Sequence, residues 1–258
     1  MRFTQAIVRP PGANFAEGIS SATELGAPDV ALALVQHERY CEALRACGLR
    51  LTQLAVDLRH PDGTFVEDTA ILTEEAAIVT RPGAQSREAE AAATLESLHS
   101  CFDTIFEIKA PGTVDGGDVC EVDGDFLIGL SCRTNPEGVR QLVALLTRLG
   151  HKSLVIDIRD SNSLLHLKTG LSYVGDGVFV VSSDGSFGDA LQRYAVIKLP
   201  CAEAYAANCV RVNDRVLVAA GYPQLLTALD AHGCRVTELA MSEFQKMDGG
   251  LSCLSLRF

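Results

Sequence analysis

The residues of this chain that are best suited to chemistry are one cysteine, one histidine and a pair of acids. Cys253 ends the stretch "DGGLSC", whose glycines allow other groups to approach the thiol closely. His166 lies inside the apolar run "LLHLKTG", and Asp115 and Asp118 flank the glycines of "VDGGD". A cysteine nucleophile requires a base and a third group that orients this base. The motifs therefore predict that Cys253 works with His166, which either Asp115 or Asp118 orients.

Each of these motifs also has a simple structural explanation. The chain has nine cysteines, so Cys253 could fill the core, and His166 could be a buried, hydrogen-bonded core histidine. The D-G-G sequence is common in hairpin turns. Glu67 and Asp68 of "FVED" stand at the end of an apolar run, where adjacent strand residues point to opposite faces. At most one of these two acids is therefore expected to face the core, unless the strand bends or ends there.

The composition excludes several classes of protein. With 258 residues, of which 47% are hydrophobic and 21% charged, the chain has the makeup of a folded globular protein. Its net charge of −11 disfavours binding to nucleic acid or to anionic membranes and suits a small cationic ligand. No targeting signal is visible, and the longest apolar run, residues 30–35, is far shorter than the ~18 residues of a membrane span. The irregularly spaced cysteines contain no C-x-x-C, which predicts free thiols and a cytoplasmic location.

The elements that must position these residues alternate along the chain. Capping residues and apolar stripes predict helices at 28–48, 86–99, 135–150 and 222–233. Short β-branched runs between them predict strands. Because no linker or charge run divides the sequence, we expect a single domain over residues 1–258.

Polar clusters interrupt strand-like runs at regular intervals. Their anchors lie 50, 51, 42 and 40 residues apart and are Phe65, Asp115, His166, Asn208 and Asp248. Most are followed by a hairpin, a helix or loop, and another strand, although no convincing helix follows His166 in "SSDGSFGDALQRY". A unit that recurs with this period predicts a radial array of five blades with polar strand ends around one channel.

Seven motifs in combination resemble the dimethylarginine dimethylaminohydrolase family of the guanidine-modifying pentein superfamily. They are "FVEDTAIL", "RPGAQSR", "PGTVDGGD", "SCRTN", "LHLKTGLSYV", "YAANC" and "DGGLSCLSLRF". The resemblance extends from "PPGANFAEGIS" to the last residue. It implies an α/β fold, the five-bladed α/β propeller of the penteins, with pseudo-five-fold repeats around a central active-site channel.

The resemblance also implies a reaction and catalytic roles. The reaction is hydrolysis of asymmetric dimethylarginine, and of monomethylarginine, to citrulline and dimethylamine or methylamine. It passes through a covalent cysteine-thiouronium intermediate, with no cofactor and no metal. Cys253 matches the nucleophile, His166 the general acid and base, and Asp115 the carboxylate that orients the histidine. Family members carry Glu or Asp at this last position, and the shorter Asp needs a slightly closer histidine.

The substrate-binding positions that the resemblance implies form a second group. They are Ile19, Asp62, Glu67, Asp68, Arg87, Arg133, Met247 and Ser252. The three acids match contacts to the guanidinium side, and the two arginines match contacts to the amino-acid carboxylate. The backbone of Ile19 and Met247 matches contacts around the polar end of the ligand. Ile19 departs from the expected Leu, but a backbone contact survives that change.

Lys168 distinguishes this chain from arginine and agmatine deiminases, which carry a His-x-Asp element whose acid binds the guanidinium. Here Lys168 takes that place. Methylation removes N–H donors, so a site for a methylated guanidinium needs fewer acceptors. Lys168 therefore favours dimethylarginine over arginine, unless its side chain is simply exposed.

Two other functions remain open at this point. The same framework could support arginine deimination or another amidino-modifying reaction, or the propeller could be a non-catalytic binding module. The joint presence of Cys253, His166, Asp115 and Asp68 disfavours the module. The expected partner is a small methylated arginine, with no nucleic acid or membrane, and the chain is expected to be a monomer or homodimer. The glycine-bearing segment 11–28 is long enough to form a lid.

Overall fold

Fifteen strands form five three-stranded sheets in the computed structural model, which describes residues 2–161, 164–185 and 187–258. The strands are β1 (Gln5–Val8), β2 (Arg50–Gln53), β3 (Ala70–Leu72), β4 (Ala77–Val79), β5 (Ile105–Glu107), β6 (Val119–Val122), β7 (Asp125–Leu130), β8 (Ser153–Asp157), β9 (Leu171–Gly175), β10 (Val178–Ser182), β11 (Ala195–Leu199), β12 (Val210–Val212), β13 (Arg215–Ala219), β14 (Arg235–Leu239) and β15 (Leu256–Arg257). The α-helices in the same residues are α1 (Val30–Ala46), α2 (Glu90–Leu98), α3 (Pro136–Arg148), α4 (Leu167–Gly170), α5 (Pro223–Ala231) and α6 (Ser242–Gln245).

Each sheet repeats one pattern of strand pairing. An antiparallel strand pair is extended by a third strand that pairs in parallel after a crossover, and in four of the sheets, such as β6-β7-β8 and β12-β13-β14, the antiparallel pair is a hairpin. Helices α2, α3 and α5 form three of the crossovers. The crossover between β10 and β11 contains only a 3-10 turn at Gly188–Leu191 among its described residues, in line with the weak helix signal there. The sequence repeat is thus a repeat of blades.

One blade combines the two ends of the described chain. Strand β1 pairs in parallel with β2, which follows α1, and antiparallel with β15 on its other side. The register places Ala6 opposite Arg257 and Ile7 opposite Leu256. The last strand therefore takes the place that the first hairpin strand has in the other four blades.

Apolar side chains join each blade to the next. Five buried clusters lie between neighbouring sheets, including one that packs Ile78 of β4 with Ile128 of β7 and one that packs Ala6 of β1 with Leu217 of β13. The clusters follow one another around the molecule and return to the first blade. The five-bladed α/β propeller predicted from the repeat is confirmed, and the core is distributed between the blades.

The predicted helices are confirmed with small changes at their ends. Helix α3 begins after Asn135, whose side chain accepts the Gly138 N–H at 2.8 Å, as expected for an N-cap. Helix α2 begins at Glu90 and not at residue 86, because Gln85–Arg87 form a separate 3-10 turn. All nine cysteines are unpaired, as predicted. No helix in the described ranges is long and apolar enough to span a membrane.

Candidate active site

A cavity of about 210 Å³ brings together residues from all five of the predicted polar clusters. Cys253, His166, Glu67, Lys168 and Asn208 all line it. In the sequence these residues lie up to 186 positions apart, and only the ring of blades places them side by side. The position of the cavity agrees with the expectation that polar strand ends meet at the centre of the propeller.

Cys253 lies in a 3-10 turn at Ser252–Leu254. Two glycines before this turn allow it to pack closely against Asn208 and Phe65. A side chain at Gly250 would put its Cβ 2.4 Å from Asn208 Oδ1, and one at Gly249 would meet the ring of Phe65 at 2.3 Å. The Gly250 N–H donates to Cys253 Sγ at 3.4 Å. The glycine pair is therefore required for close packing of this turn, which presents a half-buried thiol to the cavity.

His166 is held by Asp115 and not by Asp118. His166 Nε2 lies 2.9 Å from Asp115 Oδ2, and the other Asp115 oxygen accepts the Gly83 N–H at 2.7 Å. Asp118 instead accepts hydrogen bonds from the Leu167 N–H and from two hydroxyl groups, so it fixes the backbone beside the histidine. Of the two arrangements that the motif "VDGGD" left open, the structure has the one with Asp115.

The acids around His166 favour its protonated form. Burial alone lowers the pKa of His166, but the negative charges of Asp68, Asp118 and Asp115, together with the hydrogen bond to Asp115, outweigh this effect and raise the pKa to about 9. Burial, with the charges of Glu67 and Asp68, raises the pKa of Cys253 to about 12. At neutral pH the protein alone therefore carries an imidazolium beside a neutral thiol.

Glu67 and Asp68 are both buried, contrary to the expectation for adjacent strand residues. The stretch Val66–Thr69 is a 3-10 turn and not a strand, so the two side chains need not point to opposite faces. Asp68 accepts the Gly117 N–H at 2.9 Å and pairs with Arg87 at 2.7 Å. Burial would raise the pKa of Asp68, but the charges of Arg87 and His166 prevail and lower it to about 2.

Asp68, Asp115 and His166 also form a group of three side chains of metal-ligating type. Their ligand atoms lie within 4.8 Å of one another, and all three residues are buried. Each of the two acids already accepts a backbone N–H, and Asp68 also pairs with the Arg87 guanidinium. Both acids of this group therefore already have hydrogen-bond donors within the protein.

Glu67 is paired with two cations and one hydroxyl. Lys168 Nζ lies 2.7 Å from Glu67 Oε1 and Arg257 Nη2 lies 3.3 Å from the same oxygen, while Ser252 Oγ donates to Oε2 at 2.7 Å. Only 14% of the Lys168 side chain is exposed. The interpretation of Lys168 as an exposed lysine is therefore wrong, because this residue forms part of the cavity wall.

The two predicted carboxylate-binding arginines differ in their surroundings. Arg87 is buried and donates to Glu90, Asp68 and the Phe65 carbonyl, so four of its five N–H groups are engaged. Arg133 is half-buried, and its buried Nη1 has no hydrogen-bond partner among the described residues. Neither side chain lines the 210 Å³ cavity. Arg87 is thus largely committed to protein partners, whereas Nη1 of Arg133 makes no hydrogen bond to a described residue.

Segment 11–28 lies across the residues that precede Cys253. The Ile19 N–H donates to both carboxylate oxygens of Asp62, at 3.1 and 3.2 Å. Ser20 Oγ donates to the Lys246 carbonyl at 2.7 Å, and Ser21 donates to Asp248 through both its N–H and its hydroxyl. The buried Asp62 and Met247 therefore lie beneath this segment, against Gly18 and the Ile19 backbone, and outside the lining of the cavity. Burial raises the pKa of Asp62.

Among the cavity residues that were not predicted as site residues, Asn208 and Tyr205 form hydrogen bonds to the segment around Cys253. Asn208 hydrogen-bonds to Ser252 and Lys168, and Tyr205 donates its hydroxyl to the Gly249 carbonyl at 2.8 Å. Both belong to the motif "YAANC", and Asn208 is an anchor of the repeat. The signal in the sequence was therefore present, but an amide and a phenol carry no chemistry that would single them out.

A second cavity of about 370 Å³ adjoins the first. Glu67, Lys168 and Ser252 line both, so these three residues form the wall between the two spaces. The remaining lining of the second cavity comes from strands of several blades, as expected for the channel of a propeller. The predicted channel thus exists as two compartments.

A five-bladed propeller with a cysteine and a carboxylate-held histidine at its centre has the architecture of the guanidine-modifying enzymes, and the arginine deiminase family model matches residues 60–185. Within this class, the chain belongs to the dimethylarginine dimethylaminohydrolase family. It is 42% identical over 257 residues to the N(G),N(G)-dimethylarginine dimethylaminohydrolase of Pseudomonas aeruginosa, a match that covers 99% of this chain and 100% of that one. The corresponding protein of Streptomyces coelicolor is 33% identical and is covered to 96%.

Solved structures support the same assignment. A mutant of the Pseudomonas aeruginosa enzyme complexed with citrulline superimposes with a TM-score of 0.96 at 41% identity and covers both chains completely. The N-terminal domain of ArgZ, an arginine dihydrolase from cyanobacteria, has a TM-score of 0.89 at 18% identity, with 100% of this chain and 97% of that chain covered. This second likeness concerns the fold alone.

Proposed function

We propose that this chain, as one catalytic domain over residues 1–258, hydrolyses asymmetric dimethylarginine to citrulline and dimethylamine. Monomethylarginine would yield citrulline and methylamine. The observation that carries the proposal is the cavity in which the Cys253 thiol meets a histidine held by Asp115, beside the buried acids Glu67 and Asp68. The family membership and the citrulline complex of the Pseudomonas relative support the same substrate class.

The acids provide the recognition of the substrate cation. A guanidinium is planar and donates hydrogen bonds in its plane, which buried carboxylates accept strongly. Glu67 faces the cavity directly, and Asp68 lies behind it with its charge shared with Arg87. At the other end of the substrate, the available Nη1 of Arg133 suits the carboxylate of the amino acid, next to Asp62 and the backbone of Ile19 and Met247.

Binding of the cation prepares the nucleophile. The charges of Glu67 and Asp68 contribute to the raised pKa of Cys253, and a guanidinium between them and the thiol offsets this contribution. The thiol then loses its proton to solvent while the substrate carbon is within reach. Without a bound cation the neutral thiol is a poor nucleophile, so the thiol reacts much faster in the complex with substrate.

The chemistry then has two stages. The Cys253 thiolate forms a bond to the guanidinium carbon, and the bond from this carbon to the dimethylated nitrogen breaks as protonated His166 donates its proton to that nitrogen. The product of this stage is a thiouronium attached to the enzyme. In the second stage, His166 accepts a proton from water as the water oxygen attacks the same carbon. The carbon–sulfur bond breaks and the remaining proton of the attacking water passes to the sulfur, so that citrulline leaves and the thiol is restored.

Lys168 accounts for the choice of substrate. Its ammonium pairs with Glu67 and satisfies one of the acceptors that unmethylated arginine would need. Asymmetric dimethylarginine has lost both N–H groups on one nitrogen, so it requires fewer acceptors. We therefore expect the methylated compound to be strongly preferred over arginine.

The test is the release of citrulline from asymmetric dimethylarginine and from arginine, measured for the wild type and for Cys253→Ser. The exposed Cys201→Ser serves as the matched control. We expect turnover of the methylated substrate by the wild type and the control, and no turnover by the folded Cys253→Ser variant. Equal turnover of arginine by the wild type would favour arginine deimination. Release from neither substrate would favour a binding module.

A further inference from the structure

A closed ring of hydrogen bonds links four residues at the wall between the two cavities. Asn208 Nδ2 donates to the Lys168 carbonyl at 2.9 Å and to Ser252 Oγ at 3.0 Å. Ser252 Oγ donates to Glu67 at 2.7 Å, and an ion pair between Lys168 Nζ and Glu67 at 2.7 Å closes the ring. The four members come from four separate segments of the chain, so the ring fastens four parts of the propeller to one another.

Two members of the ring are next to the proposed reacting groups. Ser252 immediately precedes Cys253, and Lys168 follows His166 by two residues. Asn208 is not adjacent in sequence to a proposed reacting group. Its amide directly links the segment of Ser252 with the segment of Lys168. Its bonds to both segments connect the turn of the nucleophile with the segment of the acid and base.

The amide of Asn208 is fully used in this link. Oδ1 accepts the Ser252 N–H at 3.0 Å, so one side chain holds both the backbone and the hydroxyl of the residue before Cys253. The residue is buried, with 7% of its surface exposed. Gly250 packs directly onto it, since a Cβ there would lie 2.4 Å from Oδ1. This close fit leaves the turn little freedom to shift.

We propose that Asn208 is a positioning residue, which sets the place of the Cys253 thiol relative to His166 through its three hydrogen bonds to Ser252 and Lys168. The proposal rests on the proposed roles of Cys253 and His166. Asn208 offers no acid, base or nucleophile, and its three side-chain hydrogen bonds are all made to protein groups. Its effect is therefore expected in the rate of the chemical step and not in the binding of substrate.

The matched control is Asn213, at the turn of the hairpin β12–β13 in the same blade. Its Nδ2 also donates two bonds, to the carbonyls of Phe3 and Cys47, and its Oδ1 also accepts one backbone N–H. Asn→Asp at either position keeps the acceptor and removes both donated bonds. The pair of variants therefore separates the loss of two hydrogen bonds from the loss of the link to Cys253.

The kinetic experiment compares kcat and KM for asymmetric dimethylarginine in Asn208→Asp and Asn213→Asp, well below the Tm of each. We expect kcat of Asn208→Asp to fall about 100-fold, the loss typical of a small misplacement of reacting groups, with KM within about threefold. Asn213→Asp should keep the wild-type kcat. Combination of Asn208→Asp with Ser252→Ala should cost no more than the worse single change, because both break the same ring. Equal kcat in the two Asp variants, or additive losses in the double variant, would overturn the proposal.

A second measurement does not depend on turnover and so keeps this proposal separate from the proposed function. Iodoacetamide alkylates the Cys253 thiol, and peptide mass spectrometry distinguishes it from the other eight cysteines. Asn208→Ala removes the three hydrogen bonds that hold the turn, so alkylation of Cys253 should accelerate about tenfold or more. Asn213→Asp should leave it unchanged. An unchanged rate in Asn208→Ala shows that Asn208 does not position the thiol, even if the enzyme acts on another substrate.

Discussion

Replacement of Asp115 by Asn isolates the contribution of one buried carboxylate to the proposed reaction. The amide has nearly the same size and shape, and its oxygen can still accept the Gly83 N–H that Asp115 binds at 2.7 Å. The fold should therefore persist. What changes is the bond to His166, which loses its negative partner at 2.9 Å.

The size of the effect follows from the burial of this pair. Asp115 is completely buried, and a hydrogen bond to a charged group contributes about 1.5–3 kcal/mol, which corresponds to roughly 10- to 150-fold in rate. The amide can also turn its NH₂ towards His166 and force the ring proton onto the other nitrogen. In serine proteases this wrong tautomer accounts for a loss of about 10⁴-fold in kcat. We therefore expect kcat of Asp115→Asn to fall by roughly 10²- to 10⁴-fold.

The assay is citrulline release as a function of pH. Asp115 helps to keep the pKa of His166 raised to about 9, so its loss lowers that pKa. The alkaline limb of the kcat profile, where His166 loses the proton it must donate, should move to lower pH. Asp115→Glu restores the charge and should recover part of the activity. A kcat within threefold of the wild type, with an unmoved alkaline limb, would refute the assignment of Asp115.

Three further predictions concern binding and stability. Arg133→Lys should raise KM by roughly 10- to 150-fold at nearly constant kcat, because Lys cannot reproduce the planar fork that binds a carboxylate; an unchanged KM in the citrulline assay would contradict this role. Asp68→Asn should lower kcat/KM for dimethylarginine by several hundred- to several thousand-fold, as expected when a buried charged pair loses one partner. A nearly unchanged kcat/KM would show that this acid does not bind the substrate. The raised pKa of His166 stabilises the fold fully below its ordinary value of 6.5, and this contribution is lost as pH rises through about 9. The free energy of unfolding, measured with urea at pH 6, 7.5 and 9, should therefore fall as the pH rises, and it should fall less in His166→Gln. An equal fall in the two proteins would exclude this contribution.

The sequence predicts the architecture of this protein well because the repeat has a physical basis. Each blade needs a polar strand end at the axis and an apolar hairpin behind it, and this need recurs at Phe65, Asp115, His166, Asn208 and Asp248. The short crossover after β10 was visible as a missing helix signal. Local patterns thus define the blades, whereas the closure of the ring depends on contacts between the first and last strands.

The sequence predicts the local geometry of the acids less well. Adjacent side chains in a strand diverge, but Glu67 and Asp68 lie in a 3-10 turn that buries both. Nothing in "FVED" distinguishes these two conformations, because the turn is stabilised by partners distant in sequence. Arg87 is the clearest example, since it lies 19 residues after Asp68 and neutralises it in the interior. Propensity within one stretch contains no information about such a partner.

Lys168 and Asn208 illustrate a further limit. A lysine that follows an apolar run looks exposed, yet here it is held by Glu67, which lies 101 positions away. The amide of Asn208 is important only because Ser252 and the Lys168 carbonyl lie within 3.0 Å of it. Such roles depend on contacts between segments that are distant in sequence, and only the closed propeller brings these segments together.

The pairing of β1 with β15 determines when a newly made chain can become an enzyme. Strands β1 and β2 are synthesised early, but their sheet gains its third strand only after residues 256–257 have left the ribosome. Until then one edge of β1 lacks its partner, and such an edge is prone to pair with other chains. Cys253 precedes β15 by only three residues. A growing chain therefore lacks both the nucleophile and the closed propeller until β15 has been made.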